Sequence, residues 1–167
     1  MTSGAEWQVA QVNIALPLEP LTSARLADFV DRLEPVNALA DAAPGFVWRL
    51  KTEDDDATAI RGFGDDRLII NMSVWTSVRA LSDFVYGAAH RAVLQRRREW
   101  FAPMREAYTA LWWVDAGTEP TVAEAEERVA RLRRVGPTPY AFTLRRPFDP
   151  QGRHGLAESD PVRMCPA

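Results

Sequence analysis

The sequence predicts a single α+β domain with the ferredoxin-like, split βαβ arrangement. Its apolar residues alternate with period two in some segments and recur every three to four residues in others, in the order strand, helix, strand, strand, helix, strand. A chain of 167 residues, 47% of them hydrophobic, is long enough to bury one core without disulfides. We therefore expect an antiparallel sheet with helices on one face.

The first half of the chain supplies a strand, a helix and a second strand. Residues 7–14 alternate as a strand, and two prolines end the extended run. Residues 23–41 carry apolar side chains at helical spacing, although Pro35 should kink or split this helix. Pro44 and Gly45 end it, and residues 46–50 form the second strand.

The clearest strand is residues 68–75, after an acidic loop at 51–66. Ser77 is a good N-cap for the next helix, Gly87 should interrupt that helix, and a further helical stretch follows over about 88–101.

The last elements are a strand at 111–114, a helix and a short strand at 140–144. Thr121 and Glu124 form a capping box at the start of the helix, and Gly136 ends it. We expect the domain to span 1–148. Residues 149–167, rich in Pro, Gly and isolated charges, are interpreted as a poorly ordered tail or an arm.

The composition argues against several classes of protein. A net charge of -3 and the lack of a basic stripe do not favour nucleic-acid binding. No apolar run approaches ~18 residues and the N-terminus lacks a signal pattern, so we expect a cytoplasmic protein that does not insert into membranes. Cys165 is the only cysteine, the aspartates at 54–56 lack metal-ligand spacing, and no nucleotide-binding fingerprint follows a strand.

A sheet with helices on one face needs a cover on the other. A second copy of the same sheet is the simplest cover, which predicts a homodimer of the α/β-barrel type.

Several long segments resemble an uncharacterised bacterial family of the dimeric α/β-barrel superfamily. The resemblance covers about residues 7–148 and is carried by VNIALPLEPL, VNALADAAPGFVWRL, LIINMSVWTSV, FVYGAAH, RRREWF and LWWVDAGTEPTVAEAEERVARLRRVGPTPYAFTLRRPF. The wider superfamily includes antibiotic-biosynthesis monooxygenases, haem-degrading monooxygenases and small isomerases or cyclases. The resemblance implies a pocket between the sheet and the helices.

The haem-degrading relatives use an Asn on the first strand, a Trp in the second helix and a haem-ligating His just after it. Asn13 matches the Asn and His90 looks like the His, whereas Phe84 stands where the Trp would be. We therefore expect His90 and Asn13 to be the catalytic pair, with haem as a possible cofactor and no cofactor as the leading expectation.

The residue types agree with a role for His90, because an imidazole titrates near neutrality and can act as a base or a ligand. A break at Gly87 would place it on one stripe with Val93, Leu94 and Arg97. The alternative is a histidine that only bonds to a nearby backbone group. If Asn13 faces away from the helices, the two residues would not share a pocket.

Further candidates are polar residues expected on the sheet or helix surface and aromatic residues suited to flat substrates. The predicted substrate-binding residues are Asn37, Trp48, Arg49, Asn71, Ser73, Trp75, Phe84, Tyr86, Arg97 and Trp100. Each has a structural alternative: the amides can belong to a hydrated dimer interface, the aromatics to the core and the arginines to surface ion pairs.

The sequence thus predicts a small-molecule enzyme of secondary metabolism, monooxygenase-like, that acts on an aromatic or polycyclic metabolite without a nucleotide cofactor. The alternatives are a haem-binding enzyme with His90 as ligand, a cofactor-free cyclase or isomerase, and a non-catalytic ligand-binding dimer.

Overall fold

A computed structural model describes residues 6–52, 58 and 60–155. It contains the elements β1 (Trp7–Ala15), α1 (Ala27–Asp41), β2 (Phe46–Arg49), β3 (Ile69–Trp75), α2 (Val78–Val85), α3 (Ala88–Gln95), α4 (Arg97–Trp100), β4 (Thr109–Asp115) and α5 (Val122–Val135). The aspartates at 54–56, Cys165 and the tail beyond 155 lie outside the described residues.

The four strands form one antiparallel sheet in the order β2-β3-β1-β4. This is the order of the split βαβ plan, in which the two central strands are the first and third along the chain. The ferredoxin-like prediction is therefore confirmed. In the register, Gln11 lies opposite Ser73, and Asn13 lies opposite both Asn71 and Thr109.

Local sequence signals set the helix boundaries. The Ser77 side chain accepts a hydrogen bond from the Ala80 backbone N–H at 3.0 Å and caps α2. Thr121 caps α5 in the same way through the Glu124 N–H at 3.1 Å, and Gly136 ends α5 with φ 76°. Gly87 separates α2 from α3, as the sequence predicts.

Two predictions for the secondary structure need correction. Pro35 lies inside α1 without splitting it, since the helix runs unbroken from Ala27 to Asp41. The segment predicted as a strand at 140–144 pairs with β4 only through a single bridge between Phe142 and Leu111. Turns on either side of Phe142 use the backbone groups that a longer ladder would need.

The two faces of the sheet have different coverings. The helices α1 and α2 of the split βαβ plan lie on one face, as predicted, together with α3. The additional helix α5 packs on the other face through Ala125, Val129 and Leu132. We call this second face the α5 face; it consists of Ala10, Val12, Ile14, Ile70, Met72, Val74, Ala110, Trp112 and Val114.

The α5 face is closed within the chain. Its strand residues are buried, with Ala10, Val12, Ile70, Val74 and Ala110 inaccessible to solvent. The cover that the sequence analysis assigned to a second copy is thus supplied by α5 and by neighbouring loop residues.

Candidate functional site

A cavity of about 730 Å³ lies between the sheet and the helices α1, α2 and α3. We call the strand residues beneath it the cavity face; these are Gln11, Asn13, Ala15, Ile69, Asn71, Ser73, Trp75, Thr109 and Leu111. Strand side chains alternate between faces, so the polar residues of β1 and β3 point away from the α5 face. The volume falls in the range of about 300–1,000 Å³ that is usual for small-molecule sites.

Hydrogen bonds join the polar side chains of the cavity face into two groups, which together form a polar layer on the sheet. The Gln11 amide donates to Asn71 Oδ1 and to Ser73 Oγ, both at 3.1 Å. Trp75 Nε1 also donates to Ser73 Oγ, at 2.8 Å, and Asn13 Nδ2 donates to Thr109 Oγ1 at 2.9 Å.

These bonds leave specific atoms available to a ligand. Ser73 Oγ accepts two hydrogen bonds, so its own hydroxyl hydrogen can donate to a third group. The Nδ2 group of Asn71 is a second such donor, while Asn13 Oδ1 is an acceptor. The layer can therefore hold a carbonyl or hydroxyl oxygen of a ligand.

His90 lies on the helical wall of the same cavity. Its Nδ1 is 3.1 Å from the Val85 backbone oxygen, which can only accept a hydrogen bond. Nδ1 therefore carries the hydrogen in the neutral imidazole, and Nε2 is the basic atom. Burial lowers the pKa of His90 below its usual value, against the opposing effect of the bond to Val85, so the ring is neutral at pH 7.

Aromatic rings connect His90 to the sheet. Phe84 stacks on Trp75 with a centroid distance of 5.2 Å, and the His90 ring lies 5.2 Å from Phe84. Trp75 is buried in the sheet, so this row of rings extends from the sheet to His90 and gives the cavity an aromatic wall.

The structure brings most of the predicted site residues together. Asn13 and His90 share the cavity, which answers the question that the sequence left open. The other predicted residues that line it are Asn37, Arg49, Asn71, Ser73, Trp75, Phe84, Tyr86 and Arg97. Tyr86 is 60% exposed and lies at the rim, and Arg49 forms a 2.7 Å ion pair with Asp41.

Two predicted residues lie elsewhere. Trp48 packs on the α5 face because it alternates with Arg49 along β2. Trp100 is buried against Phe29, at a ring distance of 5.5 Å, in a separate cluster near the end of α4. The structure therefore does not bring either tryptophan to the cavity.

The sequence analysis missed Tyr108 and Thr109, which also line the cavity. It began the fourth strand at Leu111, whereas β4 begins at Thr109. If the predicted strand had begun at Thr109, the alternation of side chains would have placed Thr109 on the same face of the sheet as Leu111.

A family model described as a domain of unknown function, DUF3291, matches residues 8–157. The chain belongs to this family. The predicted resemblance to an uncharacterised family is thereby confirmed. No curated protein matches the chain.

Among solved structures, the chain is similar to several proteins at low sequence identity. SnoaB, a cofactor-independent oxygenase from Streptomyces nogalater, is 18% identical with a TM-score of 0.42, over 67% of this chain and 95% of SnoaB. A Caulobacter crescentus protein, provisionally assigned as an antibiotic biosynthesis monooxygenase, is 15% identical with a TM-score of 0.47, over 68% of this chain and 93% of its own. Similarity at this level concerns the fold.

Two further features concern the described part of the chain. None of its helices is long and apolar enough to cross a membrane. Within the same residues, no group of three or more His, Cys, Asp or Glu side chains is placed to hold a metal ion.

Proposed function

We propose that this protein is a monooxygenase-like enzyme that oxidises an aromatic or polycyclic metabolite with dioxygen, without a nucleotide cofactor. The observation that carries the proposal is the position of His90. Its imidazole, with Nε2 unprotonated, lines a cavity whose opposite wall is the hydrogen-bonded layer on the sheet. A candidate base and a set of groups that can bind oxygen therefore face the same cavity.

The walls of the cavity favour a flat substrate. The row of rings formed by Trp75, Phe84 and His90 offers stacking surfaces, and the remaining helical wall is largely aliphatic. The donors at Asn71 and Ser73 suit a substrate oxygen that gains negative charge when a neighbouring C–H or O–H proton is lost.

Dioxygen is the only co-reactant that the proposed reaction needs. His90 Nε2 takes a proton from an acidic carbon or hydroxyl of the substrate, and the resulting anion gives electrons to dioxygen. A new C–O bond then forms to one oxygen atom. The O–O bond breaks, and the other oxygen leaves as water with two hydrogens from the substrate, so that a CH₂ group becomes a carbonyl.

The first test is oxygen consumption with a panel of hydroxylated polycyclic aromatics such as naphthols and anthrones. We expect His90→Gln to abolish turnover while His154→Gln, which changes the exposed second histidine, retains it. Wild-type turnover in His90→Gln would overturn the role of His90 as the base. Turnover without oxygen uptake would instead support a cyclase or isomerase, and binding without turnover a ligand-binding protein.

The same geometry also suits haem ligation, which is the second candidate. Histidine ligands usually donate their other ring N–H to a carbonyl or carboxylate, as His90 does to Val85. His90 would bind the haem iron through Nε2, and cavity arginines such as Arg97 would pair with the propionate groups. A Soret band on addition of haem that is absent in His90→Gln would favour this reading, and an unchanged spectrum would exclude it.

A further inference from the structure

The charged side chains that line the cavity, among the described residues, all have the same sign. Among the described residues that line it are four arginines, Arg32, Arg49, Arg97 and Arg145, and no aspartate or glutamate. This contrasts with the whole chain, in which acidic residues outnumber basic ones. A concave, poorly hydrated site lined by one sign of charge concentrates the potential and attracts ligands of the opposite sign.

Two of these arginines already have carboxylate partners at the rim. Arg32 pairs with Asp28 at 3.3 Å, and Arg49 pairs with Asp41 at 2.7 Å. These carboxylates offset part of the charge of the two arginines, so we expect the two to contribute less to recognition of a ligand.

Arg97 differs from both. Its Nη2 atom is buried, and no described residue accepts a hydrogen bond from it. The neighbouring Arg96, in contrast, forms ion pairs with two acidic side chains, Asp28 and, at 2.7 Å, Glu99. No described carboxylate forms an ion pair with Arg97.

Aromatic rings hold the Arg97 guanidinium in place. Its Cζ atom lies 4.7 Å from the ring centre of Tyr108 and 5.4 Å from that of Phe101. These contacts stabilise the cation without using its N–H donors. A buried charged donor without an acceptor is costly, and a ligand anion would supply the missing partner.

We propose that Arg97 anchors a negatively charged oxygen of the ligand, so that the cavity selects flat apolar molecules that carry a carboxylate, sulfonate or phenolate group. This inference rests on the proposed function, because it names the substrate class of the same site. It adds a specificity-determining residue on α4 to the base on α3 and the polar layer on the sheet.

Two fluorescent probes that differ in charge test whether the cavity prefers a negatively charged ligand. The compounds 8-anilinonaphthalene-1-sulfonate and N-phenyl-1-naphthylamine share one aromatic framework, and the first adds a sulfonate. We expect the wild-type protein to bind the sulfonate probe more tightly. Arg97→Met should weaken it about tenfold or more, which corresponds to about 1.4 kcal/mol, and leave binding of the neutral probe unchanged.

Arg98→Met is the matched control, because Arg98 is exposed on the same helix and does not line the cavity. It should bind both probes as the wild type does. Arg97→Lys keeps the positive charge but loses the planar set of guanidinium donors, so it should retain part of the preference for the sulfonate probe. This variant replaces Arg97→Met in the test if Arg97→Met fails to fold.

The outcomes separate this inference from the proposed function. Binding of the neutral probe with no preference for the sulfonate, or an equal loss in Arg97→Met and Arg98→Met, would overturn the role of Arg97 and leave an aromatic site intact. Failure of both probes to bind the wild type would contradict the aromatic site itself.

Discussion

At the scale of single residues, His90 shows how a contact and burial act on one side chain, since the contact sets its tautomer and burial favours its neutral form. The Val85 carbonyl fixes the hydrogen on Nδ1, and burial lowers the pKa of the ring. A base must be unprotonated to act, so the lowered pKa favours the form of His90 that its proposed role requires.

The lowered pKa predicts a specific dependence of stability on pH. The unfolded histidine binds its proton near pH 6.5, whereas folded His90 does so only at lower pH. Between these two values the unfolded state holds more protons, so the free energy of unfolding decreases as the pH falls below about 6.5. Below the pKa of folded His90 this contribution no longer changes.

Denaturant unfolding of the wild type and His90→Gln at a series of pH values, from above the ordinary histidine pKa to well below it, measures the effect. As the pH falls, we expect the free energy of unfolding of the wild type to decrease relative to that of His90→Gln. A difference that stays constant across the series would contradict a lowered pKa.

At the scale of elements, the turn after α1 decides how closely α2 approaches the sheet. Gly45 has φ 81°, and its carbonyl accepts a 2.8 Å hydrogen bond from the Thr76 N–H just before α2. A Cβ atom built on Gly45 would lie 2.5 Å from Ala80 Cβ and 2.6 Å from Thr76 Oγ1. Only glycine fits both the backbone conformation and the space.

Backbone strain alone costs about 1–3 kcal/mol. We therefore expect Gly45→Ala to lower the free energy of unfolding by more than this amount, because the steric contact adds to the strain. Gly117→Ala is the control, because Gly117 also has a positive φ, of 86°, but nothing lies within 4 Å of its added Cβ. Denaturant unfolding of both variants gives the comparison. Equal losses would show that the contact between the turn and α2 is unimportant.

The interruption at Gly87 is the second element-scale feature of the site. The sequence predicts the break, and the structure places it between Val85 and Ala88. The break lets His90, Val93, Leu94 and Arg97 share the cavity, although an unbroken helix from Ser77 would have turned His90 towards solvent. The same break leaves the Val85 carbonyl free to bind Nδ1 of His90.

At the scale of the whole molecule, α5 takes the place that the sequence analysis gave to a second copy. Val129 is 1% exposed and Leu132 is 4% exposed, and both pack on the α5 face. Homodimer formation stays a prediction. A dimer that keeps α5 in place would have to use another surface, and light scattering in solution, against a chain mass of 18.7 kDa, decides the state.

The packing of α5 predicts a large effect for Leu132→Ala, about 2–5 kcal/mol of lost stability, since it opens a cavity in the core. The control on the same helix is Val135→Ala, where a 49% exposed side chain should change stability by no more than about 0.5 kcal/mol. Denaturant unfolding measures both. Similar small effects would mean that α5 does not hold the face closed.

The sequence by itself determined the order of the elements, the sheet type, the caps at Ser77 and Thr121, and the break at Gly87. These features depend on local periodicity and turn chemistry, which a single sequence displays directly. It also identified His90, Asn13, Ser73 and several other polar or aromatic residues that line the cavity.

Only the tertiary structure decided which surfaces meet. It placed Asn13 and His90 in one cavity, turned Trp48 to the α5 face and buried Trp100 away from the cavity. It also left Arg97 without a carboxylate partner among the described residues. It also laid α5 across the sheet face that seemed to need a second chain. These outcomes depend on long-range packing between residues far apart in the sequence, and local patterns do not encode which partner each face will find.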